Sequence, residues 1–138
     1  MATWEDVRRI ALALPATEET PSKRGNAFWQ VRGKSFAWER PLRGTELKAL
    51  GADAPDGPIL GARVEHQGAK QALLEDDPDV YFTTPHFDGH DSVLIRLEKI
   101  DPEELSEVLI EAWLVRAPPG MARDYIENTL KPPGMQAE

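Results

Sequence analysis

Apolar side chains recur at helical spacing in two long segments of the chain. The first segment predicts an amphipathic helix over residues 4–14, whose apolar stripe is Trp4, Val7, Ile10, Ala11 and Leu14. Thr3 followed by Asp6 has the pattern of a capping box, and Pro15 ends the helix. The second segment predicts a helix that Asp101 caps and Pro102 begins, with the stripe Leu105, Val108, Leu109, Ala112 and Trp113. Shorter helices are predicted over residues 68–74 and 121–130.

Alternating apolar and polar residues predict strands between these helices. Residues 27–38, AFWQVRGKSFAW, indicate a hairpin that turns at Arg32 and Gly33. With a two-residue turn, Trp29 lies opposite Phe36 and Ala27 opposite Trp38, so these four side chains and that of Val31 share the core face. Further strands are predicted over residues 59–65, 80–84 and 92–97. Residues 16–26 are so polar that they predict a loop.

The order helix, hairpin, strand, helix, two strands, helix lacks the regular strand-helix alternation of a parallel sheet. It predicts an α+β fold, a two-layer sandwich in which an antiparallel sheet of about five strands carries helices on one face. The length of 138 residues suits one domain, predicted over residues 1–130, followed by a frayed tail over residues 131–138.

Composition narrows the classes of function. The absence of cysteine excludes disulfides and thiolate chemistry, and the charged N-terminus has no apolar run of a signal peptide or membrane span. We therefore expect a cytoplasmic protein with no membrane partner. The net charge of −8 disfavours a wholly basic surface, but residues 1–50 carry nine Lys or Arg against six acids (+3), and residues 51–138 carry seven against eighteen (−11).

The segment FTTPHFDGHDSVLIRL, residues 82–97, joins two predicted strands and contains four residues of metal-binding type: His86, Asp88, His90 and Asp91. If Asp88 and Gly89 form a tight turn, the two histidines project from opposite faces of the hairpin. The spacing thus predicts a structural hairpin without a metal. The same register places His86 beside Asp91, a pairing that would raise the pKa of the imidazole.

Motifs of catalysis are missing from the sequence. The serines lie in no G-x-S-x-G elbow, and there is no Gly-x-Gly-x-x-Gly motif or P-loop. We expect a binding protein that needs no cofactor, with no catalytic residues. A small-ligand cleft beneath the loop over residues 16–26 is a further alternative.

Four segments together resemble the MmcQ/YjbR-like family of small bacterial domains: TWEDVRRIALALP, VRGKSFAW, ALLEDDPDVYFTTPHFDGHDSVLIRL and EELSEVLIEAWLVRAP. The resemblance spans about residues 3–125. Five residues match the family's usual loop motif and are interpreted as structural: Thr83, Thr84, Pro85, His86 and Gly89. His90 and Asp91 depart from it, since relatives tend to have Tyr-Pro there.

The resemblance implies a two-layer fold similar to the type III secretion chaperones, described as a double wing, whose members are commonly labelled DNA-binding on structural likeness. The matching hypothesis here is weak, non-specific DNA binding through a basic hairpin wing, carried by Arg32, Lys34, Arg40 and Arg43. The alternative is a protein-interaction module, chaperone-like or adaptor-like, which the low pI of about 4.9 favours.

Overall fold

One antiparallel sheet organises the fold. The computed structural model describes residues 2–21, 26–41, 48, 50–51, 57–84 and 89–130. In this part of the chain the strands are β1 (Thr17–Pro21), β2 (Ala27–Val31), β3 (Lys34–Glu39), β4 (Ile59–Arg63), β5 (Tyr81–Phe82) and β6 (Ser92–Arg96). They lie in the order β1-β2-β3-β4-β6-β5, and every neighbouring pair is antiparallel. The predicted α+β fold is confirmed, with six strands rather than about five.

The described helices pack against one face of this sheet, as predicted. They are α1 (Trp4–Leu12), α2 (Gln67–Asp76), α3 (Pro102–Arg116) and α4 (Pro119–Tyr125), which continues into a π-helical turn (Ile126–Leu130). All four contribute to one core, whose largest fully buried side chains include Trp29, Phe36, Tyr81 and Trp113. The predicted caps form: Thr3 and Asp6 make a capping box, and the Asp101 side chain accepts a hydrogen bond from the Glu103 N–H. No described helix has the length and apolar character needed to cross a bilayer.

The hairpin turns at the predicted residues, but its register differs from the prediction. Val31 pairs with Lys34, yet a bulge beyond the next pair places Trp29 opposite Ala37 and Phe28 opposite Trp38. Phe36 and Ala37 therefore both enter the helix-side core, and Trp38 joins a separate apolar cluster. The prediction that Trp38 shares a face with Trp29 is wrong, because an inserted residue shifts the alternation of every residue that follows it.

The prediction of a loop over residues 16–26 is also wrong in part. Residues 17–21 form β1 at the edge of the sheet, where Thr17 pairs with Val31 and Pro21 with Ala27. The side chains of β1 are half-buried or exposed, so the sequence carries no apolar alternation. Backbone pairing with β2 and one carboxylate hold the strand at the sheet edge. Glu19 Oε1 accepts hydrogen bonds from Trp29 Nε1 at 3.0 Å and from Arg8 Nε at 2.9 Å.

The second face of the sheet carries a small apolar cluster of its own. Ile59, Phe82 and Leu94 are buried there, with Trp38 and Leu50 packed against them. The indole of Trp38 lies directly over Gly61, its partner on β4. A methyl group at residue 61 would come within 2.3 Å of Trp38 Nε1, so the close approach requires glycine.

Candidate functional site: a basic tip and an acid-lined cleft

The tip of the β2–β3 hairpin presents two cations to solvent. Arg32 and Gly33 both have positive φ angles, +52° and +82°, the combination that defines a type I′ turn. Arg32, Gly33 and Lys34 are exposed. The turn therefore directs both predicted contact residues of the tip away from the core.

The other two predicted contact residues do not join this group in the described structure. Arg40 follows the far end of β3, six residues beyond Lys34 and therefore about 20 Å from it along an extended strand. There its backbone N–H donates to the Ile59 carbonyl at 2.9 Å, and its Nη1 donates to the Pro41 carbonyl at 2.6 Å. Arg43 lies outside the described residues.

A cation from another part of the chain meets the hairpin instead. Arg116, in the last turn of α3, donates from Nε to the Ser35 carbonyl at 3.1 Å, next to Lys34. A cation at this end of a helix also interacts favourably with the helix dipole. We call Arg32, Lys34 and Arg116 the basic tip. Sequence reasoning missed Arg116, because nothing local indicates that the end of α3 contacts β3, 81 residues earlier.

Arg63 ends β4 and interacts electrostatically with Arg116 of the basic tip. Burial lowers the pKa of its guanidinium, and the positive charge of Arg116 lowers this pKa further. Its guanidinium carbon lies 5.7 Å from the centroid of the Trp38 ring, and its Nε is buried without a hydrogen-bond partner. Arg63 is therefore a cation that packs against Trp38 and repels the positive charge of Arg116.

Two other cations of the first fifty residues, both on α1, form ion pairs with acids. Arg8 pairs with Glu5 and Glu19, and Arg9 pairs with Asp6. The hydrogen bond with Glu19 raises the pKa of Arg8, and the hydrogen bond with Arg9 lowers the pKa of Asp6. The excess of +3 in this half of the sequence thus does not describe one continuous basic face.

The loop motif between β5 and β6 is held by helix α2. Lys70, only 3% exposed, donates from Nζ to the His90 carbonyl at 3.2 Å, and Gln67 Nε2 donates to Asp91 Oδ1 at 2.7 Å. Gly89 has a φ of +84°, as a tight turn there requires.

Thr83 and Thr84 are the residues of the motif that the structure describes before the turn. Thr84 is buried, and the Thr83 hydroxyl donates to the Thr84 carbonyl at 3.5 Å. Pro85, His86 and Asp88 lie outside the described residues, and with them the predicted pairing of His86 with Asp91. No three His, Asp or Glu residues group as metal ligands within the described ranges.

A cleft of roughly 750 Å³ opens between α2 and α3. Its apolar floor includes Val64, Ala69, Leu73 and Val108. Seven carboxylates line it: Glu65, Asp76, Asp101, Glu103, Glu104, Glu107 and Glu111. Arg63 is the one cation among its described lining residues. We call this feature the acid-lined cleft.

Tyr81 anchors the inner wall of the cleft. Its side chain is buried, and its hydroxyl donates a short hydrogen bond of 2.5 Å to Glu104 Oε2. Burial, the bond to Glu104 and the surrounding carboxylates all raise the pKa of this phenol. The hydroxyl therefore stays protonated and serves as a fixed donor that orients Glu104.

Comparison with known proteins identifies the class of this fold. The YjbR family model matches residues 12–115, which is more than half of the chain. A crystal structure of Deinococcus radiodurans protein DR2400, with the family domain DUF419, superimposes with a TM-score of 0.61 over 97% of this chain and 85% of that one. Their sequences are 18% identical, so this likeness concerns the fold alone.

The chain belongs to the YjbR family, as the sequence resemblance indicated. It is 47% identical over 133 residues to uncharacterized protein Rv2570 of Mycobacterium tuberculosis and, equally, to uncharacterized protein Mb2600 of Mycobacterium bovis. Each alignment covers 94% of this chain and 99% of the relative.

Proposed function

We propose that this YjbR-family protein is a non-enzymatic binding domain whose basic tip contacts the phosphates of nucleic acid. The observation that carries the proposal is the backbone of Arg32. A left-handed conformation costs an L-residue roughly 1–2 kcal/mol, and asparagine or glycine occupies this turn position at less cost. An arginine held there, with an exposed side chain, makes no side-chain hydrogen bond or ion pair within the described fold that offsets the cost, which favours an external ligand.

The geometry limits how strong such binding is. The three cations of the tip offer about three phosphate contacts, whereas Arg40 lies too far along β3 to share them. Each contact adds about 0.9 to the slope of log K against log salt, so the expected slope is close to −3. Together with the net charge of −8, this predicts weak, non-specific and strongly salt-dependent binding.

A fluorescence anisotropy titration of a labelled 20-base-pair duplex and a single strand of equal length tests the proposal. It is run at several salt concentrations between 30 and 150 mM. In the double variant Arg32→Asn with Lys34→Gln, we expect at least tenfold weaker binding at the lowest salt and a salt slope reduced by about 2. The Arg32→Asn change should also raise stability by about 1 kcal/mol, because asparagine suits the turn.

The matched control is Arg40→Gln, which removes one positive charge at the other end of β3. It should change the affinity by less than twofold. If Arg40→Gln weakens binding as much as Arg32→Asn alone, the contact surface is not the tip. If the native protein binds neither probe at 30 mM salt, nucleic-acid binding is refuted.

A further inference from the structure

The acid-lined cleft is a second surface, of opposite charge to the basic tip. We propose that it is a docking site for a segment of a protein partner that carries Lys or Arg side chains around one or two apolar side chains. This inference is independent of nucleic-acid binding at the tip, because no residue of the tip lines the cleft. Three observations support it: an apolar floor, an uncompensated row of glutamates, and a lining in which seven carboxylates stand against one cation, Arg63, among the described residues.

The floor of the cleft suits apolar side chains of a ligand. Leu73 and Ala69 of α2 are half-buried, and the floor continues with Val108 of α3 and with Val64, which directly follows β4. A volume of roughly 750 Å³ is in the range of ligand-binding clefts and accommodates several side chains. A ligand that covers this floor removes apolar surface from water on both partners, which favours association.

The wall formed by α3 carries an energetically costly pattern. Glu103, Glu107 and Glu111 follow one another at a spacing of four residues, so they lie in a row on one face of the helix. Like charges at this spacing destabilise a helix. A row that included lysine or arginine would avoid the cost, whereas the uniform charge gives this wall of the cleft a negative potential that attracts cations.

The fold supplies little to neutralise this row. The ion pairs among the described residues join Arg8 and Arg9 to Glu5, Asp6 and Glu19, all outside the cleft. Tyr81 binds Glu104, which leaves the remaining glutamates of α3 facing solvent across the cleft from Glu65 and Asp76. Cationic side chains of a partner would therefore meet carboxylates on both walls.

The charge and the floor together select one kind of occupant. The carboxylates repel phosphates, so nucleic acid is not a candidate for this surface. A small polyamine would satisfy the carboxylates but would leave the apolar floor in water. A cationic segment with apolar side chains satisfies both walls and floor, in the manner of a helix in a groove.

A fluorescently labelled synthetic peptide of 14 residues, with lysines flanking two leucines at helical spacing, serves as the probe. Its binding to the full-length protein is measured by anisotropy at 50 mM salt. The same peptide with serine in place of the leucines, and spermine as an unlabelled competitor, measure the contribution of charge alone. We expect the serine peptide to bind at least tenfold more weakly, and millimolar spermine to displace the leucine peptide only in part.

The double variant Glu107→Gln with Glu111→Gln tests the site. The matched control is Glu18→Gln with Glu127→Gln, which removes the same charge from exposed positions outside the cleft. We expect the cleft variant to bind the leucine peptide at least tenfold more weakly and the control to bind within twofold of the native protein. The midpoint of thermal unfolding should rise in the cleft variant, because repulsion along α3 is relieved, so the lost affinity is not caused by unfolding.

Each other outcome counts against the proposal. Equal weakening in both variants would show that only net charge matters. Equal binding of the serine and leucine peptides, or full displacement by spermine, would show a site for small polycations without use of the floor. The absence of binding by the leucine peptide to the native protein would refute the docking site altogether.

Discussion

The contact between Trp38 and Gly61 gives a prediction whose size follows from the structure. In Gly61→Ala, the new methyl group would lie 2.3 Å from Nε1 and 2.5 Å from Cε2 of the indole, far inside van der Waals contact. Residue 61 is in a central strand of the sheet, so the indole must move instead. An indole buries about 200 Å² when fully covered. Trp38 is roughly two-thirds or more covered, so its displacement exposes at least about 130 Å², which at about 25 cal/mol per Å² costs about 3 kcal/mol.

Urea unfolding followed by circular dichroism measures this cost, and a double-mutant cycle identifies its origin. Gly61→Ala should destabilise the native protein by about 2–3 kcal/mol. In a Trp38→Ala background the same change should cost less than about 0.5 kcal/mol, because the clash is gone. Gly120→Ala is the control, since a methyl group there meets no atom within 4 Å, and it should be close to neutral. Equal costs of Gly61→Ala in both backgrounds would refute the packing explanation.

Three further predictions concern stability. The pKa of Tyr81 is raised above its ordinary value of 10.0, so the unfolded state loses the phenol proton at a lower pH than the folded state does. The free energy of unfolding should therefore fall as pH rises above 10, by up to about 1.4 kcal/mol per pH unit. In a Tyr125→Phe variant, tyrosinate absorbance at 295 nm should thus appear together with unfolding; absorbance that precedes unfolding would contradict the buried phenol. Glu19→Gln should weaken the bond to Trp29 and release β1, seen as faster amide exchange over residues 17–21 with little change elsewhere. Thr3→Ala should lower the free energy of unfolding by about 1 kcal/mol, measured by thermal unfolding, because the helix cap is lost. A neutral change would show that the cap does not stabilise the protein.

Local chemistry made several parts of the fold predictable from the sequence. The caps at Thr3 and Asp101 and the turn at Arg32 and Gly33 each depend on residues within four positions of one another, and the structure contains all of them. The apolar stripe of the long helix α3 was predictable for the same reason, because its period is a property of the helix alone.

The errors have a different physical origin. Strand β1 has no apolar pattern because it is held by backbone pairing at the sheet edge, and polar side chains there are not penalised. The bulge in the first hairpin leaves the turn chemistry unchanged, yet it moves Trp38 to the other face of the sheet. Neither effect can be inferred from the residues of the segment itself, since both depend on what the segment pairs with.

The same distinction explains why the sequence indicated the basic tip only in part and the acid-lined cleft not at all. The spacing of Glu103, Glu107 and Glu111 can be read from the sequence, but a row of glutamates on a helix is also typical of a solvated face. Whether such a row becomes a binding wall depends on what stands opposite, and here α2 brings Asp76 and Leu73 to the other side of the cleft. Arg116 reaches the hairpin through the same arrangement of helices over the sheet. Spacing thus determines which side chains share a face, whereas topology determines which faces meet, and the proposed binding surfaces of this protein arise from the second.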